Sequence, residues 1–287
     1  MSTDVSPTHR RGRRVVGPSA RGDDPVRLWH LTRTLAVTDF KLRFFGSVLG
    51  YFWQLLRPLL LFGVLYVVFT EVVRLGGDVE LYAPALLLGI VLYTFMTEAT
   101  GGALTSMVDR ESLIRKIDFP RLAVPMANVL TALFSIALNV LVVLVFLLLS
   151  GGKVRWTWLE LPLIIAWLTV LAAGLGMLLS ALYVKFRDVR PIWDVVLQVF
   201  FYASPIFYPI DVVLERNESL ATLLMLNPFA AALQQARHAV VAPSHPSAAE
   251  AIGDPALLLI PIAITLMVVA GGYAVFSRRA PRIAEDL

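Results

Sequence analysis

The sequence predicts an all-α polytopic membrane protein with six transmembrane helices. An amphipathic interface helix precedes the first span, and re-entrant helices lie between the fifth and the sixth. Three observations predict this class. The 287 residues are 57% hydrophobic and 16% charged, with mean hydropathy +0.73, against roughly 45–50% apolar and 25% charged in a soluble globule. Apolar runs recur at the length of about 20 residues that crosses a bilayer. The basic residues gather in alternate connecting segments.

Residues 1–24 are polar, Arg-rich and aperiodic. They lack the apolar core of a signal peptide and are expected to be a disordered cytoplasmic tail. Residues 25–287 then form one transmembrane domain. Asp24 and Pro25 suit an N-cap and a first helical residue. Over 25–45, Leu28, Trp29, Leu31, Leu35, Ala36 and Leu42 cluster on one side of a helical projection. Arg27, His30, Arg33, Thr34, Thr38 and Lys41 cluster on the other, with Asp39 an exception on the apolar face. Such a helix lies flat in the membrane interface.

The first span is expected over Tyr51–Val73, preceded by a GxxxG at Gly46 and Gly50, a close-packing pattern. Arg57 is placed to snorkel to the headgroups. A turn with Gly76, Gly77 and Asp78 leads to the second span, Ala83–Thr105. Glu98 lies inside it, either as a functional group or as a paired structural carboxylate. Next comes a charged island, Arg110–Pro125, reading RESLIRKIDFPRLAVP. The third span covers Val124–Leu149, and Trp156 and Trp158 after it suit an interfacial belt. The fourth span is Leu161–Val184. A second island, Lys185–Pro191, precedes the fifth apolar stretch, Ile192–Tyr208. Residues 209–254 are broken by Pro209, Pro228, Pro243 and Pro246, too polar for a span and too apolar for an exposed loop. Short helices dipping into the outer face fit them. The last span is Ala256–Phe276.

Six spans place both ends on one side. Of the 25 basic residues, only Arg74, Lys153, Arg155, Arg216 and Arg237 fall on the other, so both termini and both islands are expected in the cytoplasm. The same topology accounts for the pI near 9.5 without nucleic acid. The only lysines are Lys41, Lys116, Lys153 and Lys185, an arginine-heavy usage that suits a GC-rich bacterial genome. There is no cysteine, which excludes disulfides, thiolate metal sites and Cys nucleophiles. His9, His30, His238 and His245 show no metal-binding spacing. The SGGK at residues 150–153 lacks the earlier glycine and the following Ser or Thr of a phosphate-binding loop. The chain is therefore expected to have no catalytic, cofactor or metal site of its own.

Four stretches carry a resemblance: TDFKLRFFGSVLGYFWQLLRPLL (38–60), LIRKIDFPRLAVP (113–125), KFRDVRPIWDVVLQVFFYASPIFYP (185–209) and LNPFAAALQQAR (226–237). In this order and topology the chain resembles the permease subunits of ABC-2-type polysaccharide exporters, which carry O-antigen, teichoic acid, capsule or galactan. The long Arg-rich tail departs from that pattern. The resemblance implies a homodimer of six-helix subunits in the bacterial inner membrane, served by two copies of a cytoplasmic ABC ATPase that binds ATP and Mg. It implies a lipid-linked glycan as substrate and membrane lipids as surroundings. It makes residues 109–119 the coupling helix that docks on the ATPase, with Asp109, Arg110, Glu111, Leu113, Ile114, Arg115, Lys116, Asp118, Phe119 and Pro120 as coupling residues. Residues 25–45 become the interface helix, carrying Trp29, Arg33, Lys41 and Arg43.

Sugar rings bind aromatic faces, so Tyr51, Trp53, Tyr66, Tyr93, Phe95, Phe200, Phe201 and Tyr202 are candidate channel aromatics. Lipid-facing or packing roles are the alternative for each. An ABC-2 exporter of a drug, peptide or lipid shares the architecture but not the glycan-type motifs. A membrane-embedded glycosyltransferase would need paired acids, and Asp109, Glu111 and Asp118 are interspersed with Arg and Lys.

Overall fold

A computed structural model of the chain describes residues 24–44, 50–74, 79–116 and 119–283. The expected tail up to residue 23, Gly46, the turn at Gly76–Asp78 and the coupling residue Asp118 lie outside the described residues. So do the side chains of Tyr51 and Lys116. All regular elements among the described residues are helical. They are α1 (Pro25–Phe44), α2 (Gly50–Val67, continued by a π-helical turn to Val72), α3 (Tyr82–Asp109), α4 (Glu111–Lys116), α5 (Ala123–Leu149), α6 (Glu160–Tyr183), α7 (Val189–Ala203), α8 (Ile210–Arg216), α9 (Glu218–Met225), α10 (Pro228–Ala236), α11 (Ala248–Ile252) and α12 (Leu259–Arg279).

Five helices are long and apolar enough to cross a membrane: 52–72, 82–109, 123–149, 156–183 and 255–282. The chain is a multi-pass membrane protein by this measure. The fifth apolar stretch differs from expectation. It forms α7, whose 15 residues span about 22 Å, short of the roughly 30 Å hydrocarbon core. Ser204 and Pro205 follow and the chain turns.

The central helix is α3. Its run Ala85–Leu92 is apolar on every side and buried throughout, the pattern of a helix enclosed by others. It packs between α5 and α6, and with them forms the main core. By contrast, 72% of the most apolar window of α3 is buried and only 6% of that of α2, so α2 lines the periphery.

Gly174 of α6 and Gly272 of α12 meet backbone to backbone. At that crossing the absence of a Cβ is required.

The segment after α7 is built from short helices, and Pro209 and Pro228 stand at the starts of α8 and α10. Asn217 accepts from the Leu220 amide and Asn227 from the Phe229 amide. Ser247 and Glu250 form a reciprocal capping box. Pro228 sits at the first turn of α10, where its missing N–H costs nothing.

Candidate functional site

α3 ends at Asp109, and the carbonyl of Arg110 accepts the Leu113 and Ile114 amides at 3.0 and 3.1 Å, starting the single helical stretch α4. The charged island is therefore a small knob at one end of the bundle, and it is firmly rooted. Ile114, Phe119 and Leu122 are 4, 7 and 8% exposed. They pack with Met107, Val124, Met177, Val184, Phe276 and Ile283 in a second core cluster, with Leu28 and Leu31 of α1 at its edge. Pro120 is buried as well. The polar side of the knob faces outward. Arg115 is half-exposed and pairs with Glu111 one turn earlier, Nε to Oε1 2.9 Å. Asp109 is exposed.

Two further arginines fix the knob. Arg110 pairs with Asp39 of α1, which explains the acid on the inner face of that helix. Arg121 is 4% exposed and donates to the Ala280 carbonyl beyond α12. The second island is braced alongside. Arg279 donates to the Ala181 carbonyl at 3.2 Å and lies over the Phe186 ring, as does Lys185.

On α1, Thr32 and Ala36 are the buried residues. Thr131 of α5 donates to the Ala36 carbonyl at 3.3 Å, and Phe40 meets Phe134 edge-on at 5.7 Å. The packed face thus runs through 28, 32, 36 and 40 and not through Trp29 and Leu42, which are 56 and 62% exposed. Neighbouring α5 covers one side of α1, and the other side keeps Trp29, Arg33, Lys41 and Arg43 exposed.

Glu98 joins three helices. Its carboxylate accepts from Gln54 of α2 at 2.9 Å and pairs with Arg43 of α1 at 3.6 Å. Beside it is a cavity of about 670 Å³ lined by Arg43, Trp53, Gln54, Arg57 and Glu98, with Gly50 and Gly102.

The candidate aromatics divide. Tyr93, Phe200, Phe201 and Tyr202 join Phe207 and Phe229 in one ring cluster with centroids 4.9–6.5 Å apart. Trp53 is half-exposed at the Glu98 cavity, and Tyr66 stacks on Phe62 at 5.6 Å. Phe95 is corrected: at 2% exposure it is a core residue of α3 and cannot line a channel. An apolar run in a central helix buries its aromatic along with its leucines.

At the opposite end stands a centre that sequence reasoning missed. Arg237 follows α10 and is 4% exposed, yet it donates from Nη2 to the Ile206 carbonyl at 2.5 Å, while its Nε has no partner. Gly89 of α3 packs beside this pair, where an added Cβ would fall 3.3 Å from the Ile206 carbonyl oxygen. Burial lowers the guanidinium pKa to about 10, opposed by Tyr82, Tyr208 and Asp211. The same burial raises the Asp211 carboxyl. Burial, reinforced by Arg237, holds the His245 imidazole down at about 4, so it is neutral at pH 7. The available signal was a lone arginine, Arg237, set among Ala236, Ala239, Val240 and Val241.

Among the described residues no group of His, Cys, Asp and Glu could hold a metal ion. The O-antigen export system permease protein RfbA of Myxococcus xanthus is 26% identical to this chain over 255 residues, covering 88% of the chain and 94% of that protein. Two Klebsiella pneumoniae proteins of the same name are 27 and 26% identical over 205 and 204 residues, each covering 71% of the chain and 77% of the relative. Residues 30–241 match the ABC-2 type transporter family. This stretch takes in most of α1, the knob and Arg237, and the chain belongs to the ABC-2 type transporter family.

Proposed function

We propose that this chain is the permease subunit of an ABC exporter that moves a lipid-linked polysaccharide across the bacterial inner membrane. The export permeases it resembles over most of its length support a cell-surface glycan as cargo. The observation that carries the mechanism is the knob: a charged outer side on an apolar root shared by α1, α3, α5, α6 and α12. A push on such a knob moves several helices together, because packed interfaces transmit displacement as units. The sequence has no phosphate-binding loop, so the push comes from a partner ATPase holding ATP and Mg. In this reading two copies of the chain meet two of the ATPase. Both termini and both islands face the cytoplasm, α1 is the interface helix, α7 with residues 204–208 after it makes up a sixth crossing, and α8–α11 re-enter from the outer side.

The chain has no cysteine, which makes the test direct. A single Arg115→Cys is expected to react with an impermeant thiol reagent only from the cytoplasmic side, and Arg216→Cys only from outside. The purified chain without a partner is expected to hydrolyse no ATP. Labelling from the opposite sides, or hydrolysis by the clean chain, overturns the proposal.

A further inference from the structure

α7 is 15 residues long and has no buried residue, although its apolar side chains would suit a core. Asp194, Gln198 and Tyr202 follow one another a turn apart and all are exposed, so they share a polar stripe. Two hydrogen bonds fix it against α3. Tyr93 donates to the Leu197 carbonyl at 2.8 Å, and Trp193 donates to Thr100 Oγ1 at 3.1 Å. Tyr93 and Thr100 lie on either side of the midpoint of α3, which runs from Tyr82 to Asp109. The carboxylate and the amide therefore stand beside the middle third of that helix. Neither has a hydrogen-bond or ion-pair partner among the described residues.

Acids there face an aqueous path and not hydrocarbon, because lipid solvates a carboxylate poorly. The three residues line a cavity of about 310 Å³ with Leu61, Tyr93 and Thr97. Arg190, one turn before Asp194, does not line it and makes no ion pair with Asp194 among the described residues. The cavity thus combines a carboxylate acceptor, an amide donor and acceptor, and the Tyr202 ring, 60% exposed. A carboxylate and an amide a turn apart suit the hydroxyls of a pyranose, and an aromatic face suits its C–H side. The same carboxylate repels an anionic sugar.

We propose that this cavity is a sugar-binding subsite on the translocation path, selective for neutral hexose units over units bearing carboxylate or phosphate. The proposal rests on the glycan-permease reading and adds the charge class of the cargo. Its test uses the full chain in lipid nanodiscs and two probes of equal length, maltoheptaose and a seven-unit oligogalacturonate, with dissociation constants measured at low salt. The neutral probe is expected to bind more tightly by on the order of tenfold, since like charges in a partly desolvated site repel strongly. Asp194→Asn is expected to bring the two affinities within about twofold by strengthening the acidic probe. Tyr202→Ala is expected to weaken the neutral probe by roughly tenfold through loss of the ring face. All three side chains are exposed, so an unchanged thermal midpoint identifies folded variants. Equal or tighter binding of the acidic probe, discrimination unchanged in Asp194→Asn, or no binding of either probe overturns the subsite. If the topology and ATPase results of the previous section still hold, the subsite alone is lost; if they fail too, the permease reading falls with it.

Discussion

Replacing Gly272 with valine is expected to lower the thermal unfolding midpoint by roughly 6–12 °C, the equivalent of about 3 kcal/mol in a chain of this size. A Cβ at Gly272 overlaps the carbonyl of Gly174, and a Cβ at Gly174 falls 2.9 Å from the backbone of Val269. Neither obstacle is a side chain that can rotate away. The helices α6 and α12 must separate, and in a membrane their association rests on van der Waals contact that closeness makes possible. Gly271 supplies the control, since a Cβ there meets nothing within 4 Å. Gly271→Ala is expected to hold the midpoint or raise it slightly, because alanine favours a helix by about 1 kcal/mol. Equal midpoints for Gly272→Val and the parent chain would mean that the crossing is looser than described.

Arg237→Ala is the second large effect. It removes the donor to the Ile206 carbonyl and leaves that carbonyl buried and unpaired, at about 1–3 kcal/mol. It also removes the positive charge opposite the half-buried Asp211 and opens a void between α3 and the segment after α7. Together about 3 kcal/mol or more is expected, again several degrees in the midpoint. Arg237→Lys keeps the charge and shortens the reach, so it should recover only part of the loss. Proteolysis should first cut within 204–254, the segment that Arg237 ties down, while α3, α5 and α6 persist. Uniform loss of all helices, or none, would contradict a local brace.

The long spans were legible in the sequence because length and hydropathy suffice for them: the expected bounds of the second, third and fourth lie within a few residues of α3, α5 and α6. The apolar composition predicts that the fifth stretch runs on to Tyr208, because Phe207 and Tyr208 continue it beyond Ser204-Pro205, whereas α7 ends at Ala203. For α1 a helical projection found two faces, but only contact with α5 decides which residues are covered, hence the exposed Trp29. Asp39 stood out as an anomaly on the apolar side, and its explanation, Arg110, lies 71 residues away. The Gly174–Gly272 crossing and the Arg237 centre depend likewise on partners remote in sequence. Phe95 and Tyr202 are both aromatics in apolar stretches; only their neighbours separate a core ring from one that faces open space.

The knob at Glu111–Lys116 carries the central claim, and the most direct measurement is ATP hydrolysis by the chain purified from its own membranes. The parent chain is expected to bring ATP hydrolysis with it as part of a complex. Arg115→Glu with Lys116→Glu reverses two charges on a stretch whose root, Ile114 and Phe119, is untouched. A single exposed pair is worth only about 0–1 kcal/mol, so either change alone should be tolerated. The double reversal also opposes Glu111 and turns attraction for a docking groove into repulsion. Most of the co-purifying hydrolysis should disappear while the thermal midpoint of the membrane portion stays the same. Hydrolysis and glycan export both at parental levels in the double variant would contradict the account, leaving the knob a mere connector between α3 and α5.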